Sequence, residues 1–227
     1  MKFFLQDDTS EKVEHILGEL KKLMDGDVSF QMKQKGVAYQ KNYGASILWL
    51  RKVAAKYKYD NKLADRLWHR QIRETMILAT MIAEPAGEIK HKIEDWSKMD
   101  EVNEVAEHLG VNLLSRFSDL HGWAKDWLIS DSEWKQAAIW AALAAFLQKG
   151  GDADKEQVEF YLKLLAESGQ LEGMFMMRVR GRFLRQLCRK SNEKLKLVEE
   201  LLTQYRQKAV CAWLVEDVQT EIDYLKA

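Results

Sequence analysis

Apolar residues recur along this chain at intervals of three and four, and polar or glycine-containing breaks of a few residues interrupt them repeatedly. That interval is the 3.6-residue period of an amphipathic α-helix. Thr9 or Ser10 caps a first predicted helix that runs to Met24 and stops at Gly26. A short helix over residues 28–35 ends at Gly36. Residues 46–57 carry Ile47, Leu50, Ala54 and Tyr57 on one face, with Arg51 and Lys58 away from it. Residues 61–70 and 72–83 form a pair closed by Pro85, and 88–98 and 100–116 follow in the same rhythm. After a shorter piece at 123–129 comes an Ala-rich helix over 132–149, broken by Gly150-Gly151. Asp152 is expected to cap the next helix, to Glu167, and helices over 171–189, 192–208 and 209–225 complete the pattern.

Tandem helices with such short breaks, and with Pro85 as the one proline, predict an all-α chain of helix pairs stacked as a solenoid. Strand-rich sandwiches and barrels need more turns than this chain provides. No strict repeat length is visible, so the repeats are degenerate. We expect a single domain over residues 1–227 whose concave face binds the partner.

Composition narrows the chemistry. Met1 to Leu5 runs straight into Gln6-Asp7-Asp8, so no secretory signal is expected. The longest apolar run, residues 137–147, is too short to cross a bilayer and reads as a buried helix. The expected location is therefore cytoplasmic. Cys188 and Cys211 read as small core residues. The five histidines show no metal spacing, with His69 and His91 read as surface residues, and the glycines form no phosphate-cradling loop. No zinc, nucleotide or flavin cofactor is implied.

Charge is balanced overall, 35 basic against 35 acidic residues, but it is segregated. From Lys33 to Arg73 the acids are only Asp60 and Asp65, whereas from Glu94 to Glu107 the only base is Lys98. The sharpest feature is the segment from Arg178 to Lys190. Arg178, Arg182, Arg185 and Arg189 fall on one helical stripe, while Met176, Val179, Phe183 and Leu187 form the opposite, core face. Glu193 is the only acid between Arg178 and Lys196, so the stripe repels itself unless something anionic answers it. A phosphate backbone is one answer; acids from elsewhere in the fold are the other.

Four patterns, in order, resemble the AlkD-type DNA alkylation repair proteins, which are built of HEAT-like helical repeats. They are Tyr43-Gly44-Ala45 leading to Leu50-Arg51-Lys52-Val53-Ala54; Leu67-Trp68 with Ile72-Arg73-Glu74 and Ile77-Leu78-Ala79; Glu104 to Asn112-Leu113-Leu114; and Gly181-Arg182-Phe183-Leu184-Arg185. The resemblance covers about residues 30–190 and implies a HEAT-like superhelix. It also implies a monomer, associated with the nucleoid, that binds double-stranded DNA carrying alkylated purines. Active members release N3- and N7-alkylated purines. A carboxylate stabilises the oxocarbenium-like sugar, aromatics contact the cationic nucleotide, and an arginine holds a phosphate.

Matched residue by residue, the resemblance puts the catalytic acid at Glu107, with Asp100 of Trp96-x-x-x-Asp100 as second choice. The aromatic four residues before the acid falls on Asn103, the phosphate-holding arginine on Ala137, and a second aromatic on Arg182; Arg185 keeps the last arginine of the pattern. Trp123, Trp127 or Trp140 could replace the missing aromatics in space. The expected DNA contacts are Arg51, Lys52, Arg178, Arg182, Arg185 and Arg189, with Arg178, Arg182 and Arg185 expected on one concave face together with Arg51 or Lys52. Three readings stay open: an alkylpurine DNA glycosylase using Glu107, a non-catalytic DNA-structure binder, and a protein–protein scaffold whose arginines meet an acidic partner.

Overall fold

The structure, a computed structural model, describes residues 8–37, 39–57, 59–98, 102–167, 173–207 and 212–227. Among them are thirteen α-helices, one 3-10 turn and no strand beyond an isolated bridge between Lys41 and Ile72. Packing divides the chain into two compact units, Met1–Leu113 and Leu114–Ala227.

The first unit holds α1 (Asp8–Lys22), α2 (Gly26–Gln34), α3 (Ile47–Ala54), α4 (Asn61–Trp68), α5 (Arg73–Ile82), α6 (Ile89–Trp96) and α7 (Asn103–Asn112). Its centre is α5, every residue of which is buried, and α3, α4 and α7 pack against it. Trp68 and Trp96 stack at 4.5 Å and clamp α4 to α6, and the Trp96 indole donates to Asp65 at 3.0 Å. Asp60 caps α4 by accepting from the Leu63 amide at 2.9 Å. Gly26 does not stop α1, as its lack of a side chain suggested. It opens α2, because Asp25 caps that helix by accepting from the Val28 amide at 3.0 Å.

The second unit holds the 3-10 turn Leu114–Arg116, α8 (Leu120–Leu128), α9 (Glu133–Gln148), α10 (Lys155–Glu167), α11 (Met174–Cys188), α12 (Asn192–Arg206) and α13 (Ala212–Lys226). The Ala-rich α9 is apolar all round and sits inside α8, α11 and the 3-10 turn. Its alanines let neighbours approach closely, while Trp140, packed against Tyr161 and Phe183, supplies the bulk. Cys188 is buried, as expected, and burial pushes its thiol up to about 12; Cys211 lies outside the described residues. The cap of α10 is Asp154, not Asp152: Asp154 and Gln157 exchange backbone-to-side-chain bonds at 2.9 and 3.0 Å, a capping box. Asp152 instead accepts from the Ala153 amide and pairs with Lys194.

Candidate functional site

In the first unit the approach to α3 is fixed from beneath by a buried carboxylate. Glu74 accepts from the amides of Tyr43 at 3.0 Å and Ala45 at 3.1 Å, and from Arg73 at 3.1 Å. Gly44 lies between those amides at φ +75°, where a Cβ would collide with the Asp25 carbonyl. The resemblance patterns around Tyr43-Gly44-Ala45 and Ile72-Arg73-Glu74 are thus two halves of one contact. Held this way, α3 buries Leu50, Val53 and Ala54 and presents Arg51 and Lys52 to solvent. The Lys52 ammonium lies 4.0 Å from the Trp49 ring centre.

Helix α7 buries Val105, Ala106 and Leu109. Glu104 turns toward α5, where Arg73 grips it with two hydrogen bonds of 2.9 and 2.7 Å and the Tyr39 hydroxyl donates at 2.8 Å. Burial raises the Glu104 carboxyl, but the Arg73 and Tyr39 bonds outweigh it and hold the group below the usual carboxylate range. Glu107 is half-buried one step round the helix, with Asn103 exposed four residues before it. One turn on from Glu104, His108 is held below its ordinary value, by burial first, against the pull of Glu104 and Glu107 and with the push of Arg73 and Arg51. Asp100 lies outside the described residues.

In the second unit, α11 buries Met176, Val179, Phe183 and Leu187, the face the sequence assigned to the core. The arginine stripe is not uniform. Arg189 makes bonds of 2.8 and 3.0 Å to Glu221, and Arg185 pairs with Asp217. Both acids lie on α13, more than thirty residues further along the chain and invisible to a local reading, so half of the expected stripe is answered within the fold. Arg178 is exposed, 5.6 Å from the Phe175 ring, and Arg182 donates to Gln148 at 3.3 Å. The first basic zone is partly answered too: Lys56 by Glu19, Arg70 by Glu14, and Arg73 as described.

Beside Arg182 the sequence missed a convergence. Lys149, just past the end of α9, lies 3.0 Å from the Ser115 hydroxyl, and Arg116 follows Ser115 in the 3-10 turn. Partial burial, then the charges of Arg116 and Arg182, hold Lys149 below the usual lysine value. Three cations therefore meet where the 3-10 turn, α9 and α11 come together. No local signal reveals this, because the residues are separated by more than thirty positions each.

The aromatic substitutes do not serve. Trp123, Trp127 and Trp140 are buried, and Trp140 is occupied by Tyr161, Phe183 and the Arg180 guanidinium 5.9 Å from its ring centre. Ala137, at the position matched to the phosphate-holding arginine, is completely enclosed.

Comparison with known proteins agrees with this architecture. One solved structure is described as "A new family of proteins related to the HEAT-like repeat DNA glycosylases with affinity for branched DNA structures". It superposes with a TM-score of 0.76 over 93% of this chain and 94% of its own, at 16% identity, and so shows the HEAT-like fold. A search of curated proteins gave no match. The family model described as "DNA alkylation repair enzyme" matches residues 16–209. On that match the chain belongs to the DNA alkylation repair enzyme family.

Proposed function

We propose that this protein binds DNA through its phosphate backbone, in the service of alkylated-base repair, and excises bases weakly or not at all. The observation that carries the reading is the gathering of Arg116 and Arg182 about Lys149, with Lys149 bonded to the Ser115 hydroxyl and Arg182 to the adjoining Gln148. Burial first, then the charges of Arg116 and Arg182, hold Lys149 below its usual value, and a backbone phosphate brought to the group would offset the repulsion among the three. An alkylated purine, itself a cation, is repelled there. Arg178 on α11 and Arg51 and Lys52 on α3 add exposed charge, each in its own unit. The fold neighbour's described affinity for branched DNA structures is consistent with this reading.

Catalysis is poorly provided for. Glu107 offers a half-exposed carboxylate, but the matched aromatic positions hold Asn103 and Arg182, and the matched arginine position holds a buried alanine. Losing one preorganised electrostatic partner costs about 10²–10³ in rate, so two or three losses leave little beyond spontaneous depurination. The test pairs duplex binding, by fluorescence anisotropy, with single-turnover release of 7-methylguanine by the wild type and by Glu107→Gln. We expect binding without appreciable release. Robust release abolished by Glu107→Gln would establish a glycosylase instead. Absence of DNA binding even at low salt would favour a protein-scaffold role.

A further inference from the structure

Helix α3 wears its largest side chain on the outside. Its inward positions are taken by Leu50, Val53 and Ala54, while Leu48 is 69% and Trp49 48% exposed. Met24, which lines the same cavity as Trp49, is 56% exposed, and α2 buries none of its residues. That cavity, of about 480 Å³, is lined among others by Lys22, Met24, Val28, Gly44, Ile47 and Trp49. Lys22 and the acidic Asp25 line the cavity itself, while on α3 Lys52 rests on the Trp49 ring and Arg51, two residues after Trp49, is exposed.

An exposed apolar surface of this size calls for an occupant, and the charges around it select which. A greasy protein helix would have to desolvate Lys22, Arg51 and Lys52 without answering them. A nucleotide answers both features at once, its base lying on the indole and its phosphates on the cations. A paired base within a duplex has both π-faces covered by its neighbours, whereas an unpaired base offers one to an aromatic side chain.

We propose that Trp49 is a stacking platform for an unpaired nucleobase, with Arg51 and Lys52 holding the adjoining phosphates, so that the protein prefers DNA with splayed or single-stranded nucleotides over intact duplex. This deepens the DNA-binding reading and rests on it. The platform lies wholly within the first unit, whereas the cationic convergence around Lys149 lies in the second, so the two are separable by mutation.

The experiment measures anisotropy of three labelled DNAs: an intact duplex, the same duplex with a central unpaired tract, and a single strand. The proteins are wild type, Trp49→Ala, Trp49→Phe and Lys52→Gln. Thermal unfolding confirms that each variant of these exposed positions is folded. Base–aromatic stacking is worth about 1–3 kcal/mol per base, so Trp49→Ala should weaken the gapped and single-stranded complexes roughly 5- to 150-fold and leave the intact duplex within about twofold. Trp49→Phe, which keeps a ring, should retain most of the affinity. Lys52→Gln should weaken all three complexes and flatten their salt dependence. Trp49→Ala that binds all three DNAs like wild type, or weakens all three equally, overturns the platform while leaving backbone binding intact. A wild type that binds none of them overturns both readings.

Discussion

Replacing Arg116, Lys149 and Arg182 together with glutamine should change how DNA affinity responds to salt, by an amount that the structure lets one anticipate. Arg116 and Arg182 gather about Lys149, which is held below its usual value by burial and by the other two. If each neutralises one backbone phosphate, each releases condensed counter-ions and contributes a slope of about −0.9 in log K against log salt, or about −2.7 for the cluster. Between 50 and 200 mM salt that slope alone corresponds to about a 40-fold loss of affinity, which the triple variant should no longer show. The contrasting variant is Arg185→Gln with Arg189→Gln. These arginines belong to the same sequence stripe, but Asp217 and Glu221 already answer them. Their loss should leave the slope within about 0.5 of wild type, because no phosphate contact is removed. The assay is fluorescence anisotropy titration of a duplex of fixed length at four or five salt concentrations. Binding should weaken alike for unrelated sequences, since phosphate contacts carry no base information. A double variant that flattens the slope as much as the triple variant would refute the assignment of charge made here.

Other expectations follow from the first unit and from the titrating groups. Arg73→Met leaves Glu74 and Glu104 without their guanidinium; a broken buried pair costs about 3–5 kcal/mol, so the melting temperature should fall by roughly 6–20 °C in calorimetry. Gly44→Ala places a side chain at φ +75° against the Asp25 carbonyl and should cost at least about 1–3 kcal/mol in urea unfolding. His108 and His121 are both held below the ordinary value of 6.5 by burial, so the unfolded chain binds more protons than the folded one near that pH. Their contribution to stability is present in full above pH 6.5 and is lost as pH falls toward the folded values, and His108→Asn should flatten that part of the curve. Glu104, whose carboxyl is held below its ordinary value of 4.5, withdraws its own contribution at still lower pH.

The helices were legible because each buries one face, and a buried face writes its period into consecutive residues. Ser46, Ser132 and Ser191 stand at helix starts, and Pro85 lies just past the end of α5. Boundaries shifted where two signals competed. At Gly26 the cap formed by Asp25 outweighed the helix-stopping tendency of glycine, and at Asp154 a reciprocal bond with Gln157 displaced Asp152. Partnership between helices was not legible at all. The four arginines of the stripe look equivalent in one dimension, yet α13 answers two of them, and only packing brings Arg116 and Lys149 to a third. Trp49 escaped notice for the opposite reason. An aromatic residue is ordinarily core, and the face made by Ile47, Leu50, Ala54 and Tyr57 leaves Trp49 to one side without showing that no other helix covers it.

The enclosure of Ala137 also bears on how freely this chain could change its trade. An arginine at that position would have to push its guanidinium, with five N–H donors, between helices that lie close because α9 is lined with alanine. A single codon change toward the family's phosphate-holding residue would thus meet collapse of the second unit before any catalytic return. Several neighbours would have to shrink first, with no benefit until the last. The packing of α9 admits only a small side chain at this position, so an arginine could be seated there only by a coordinated change of its neighbours.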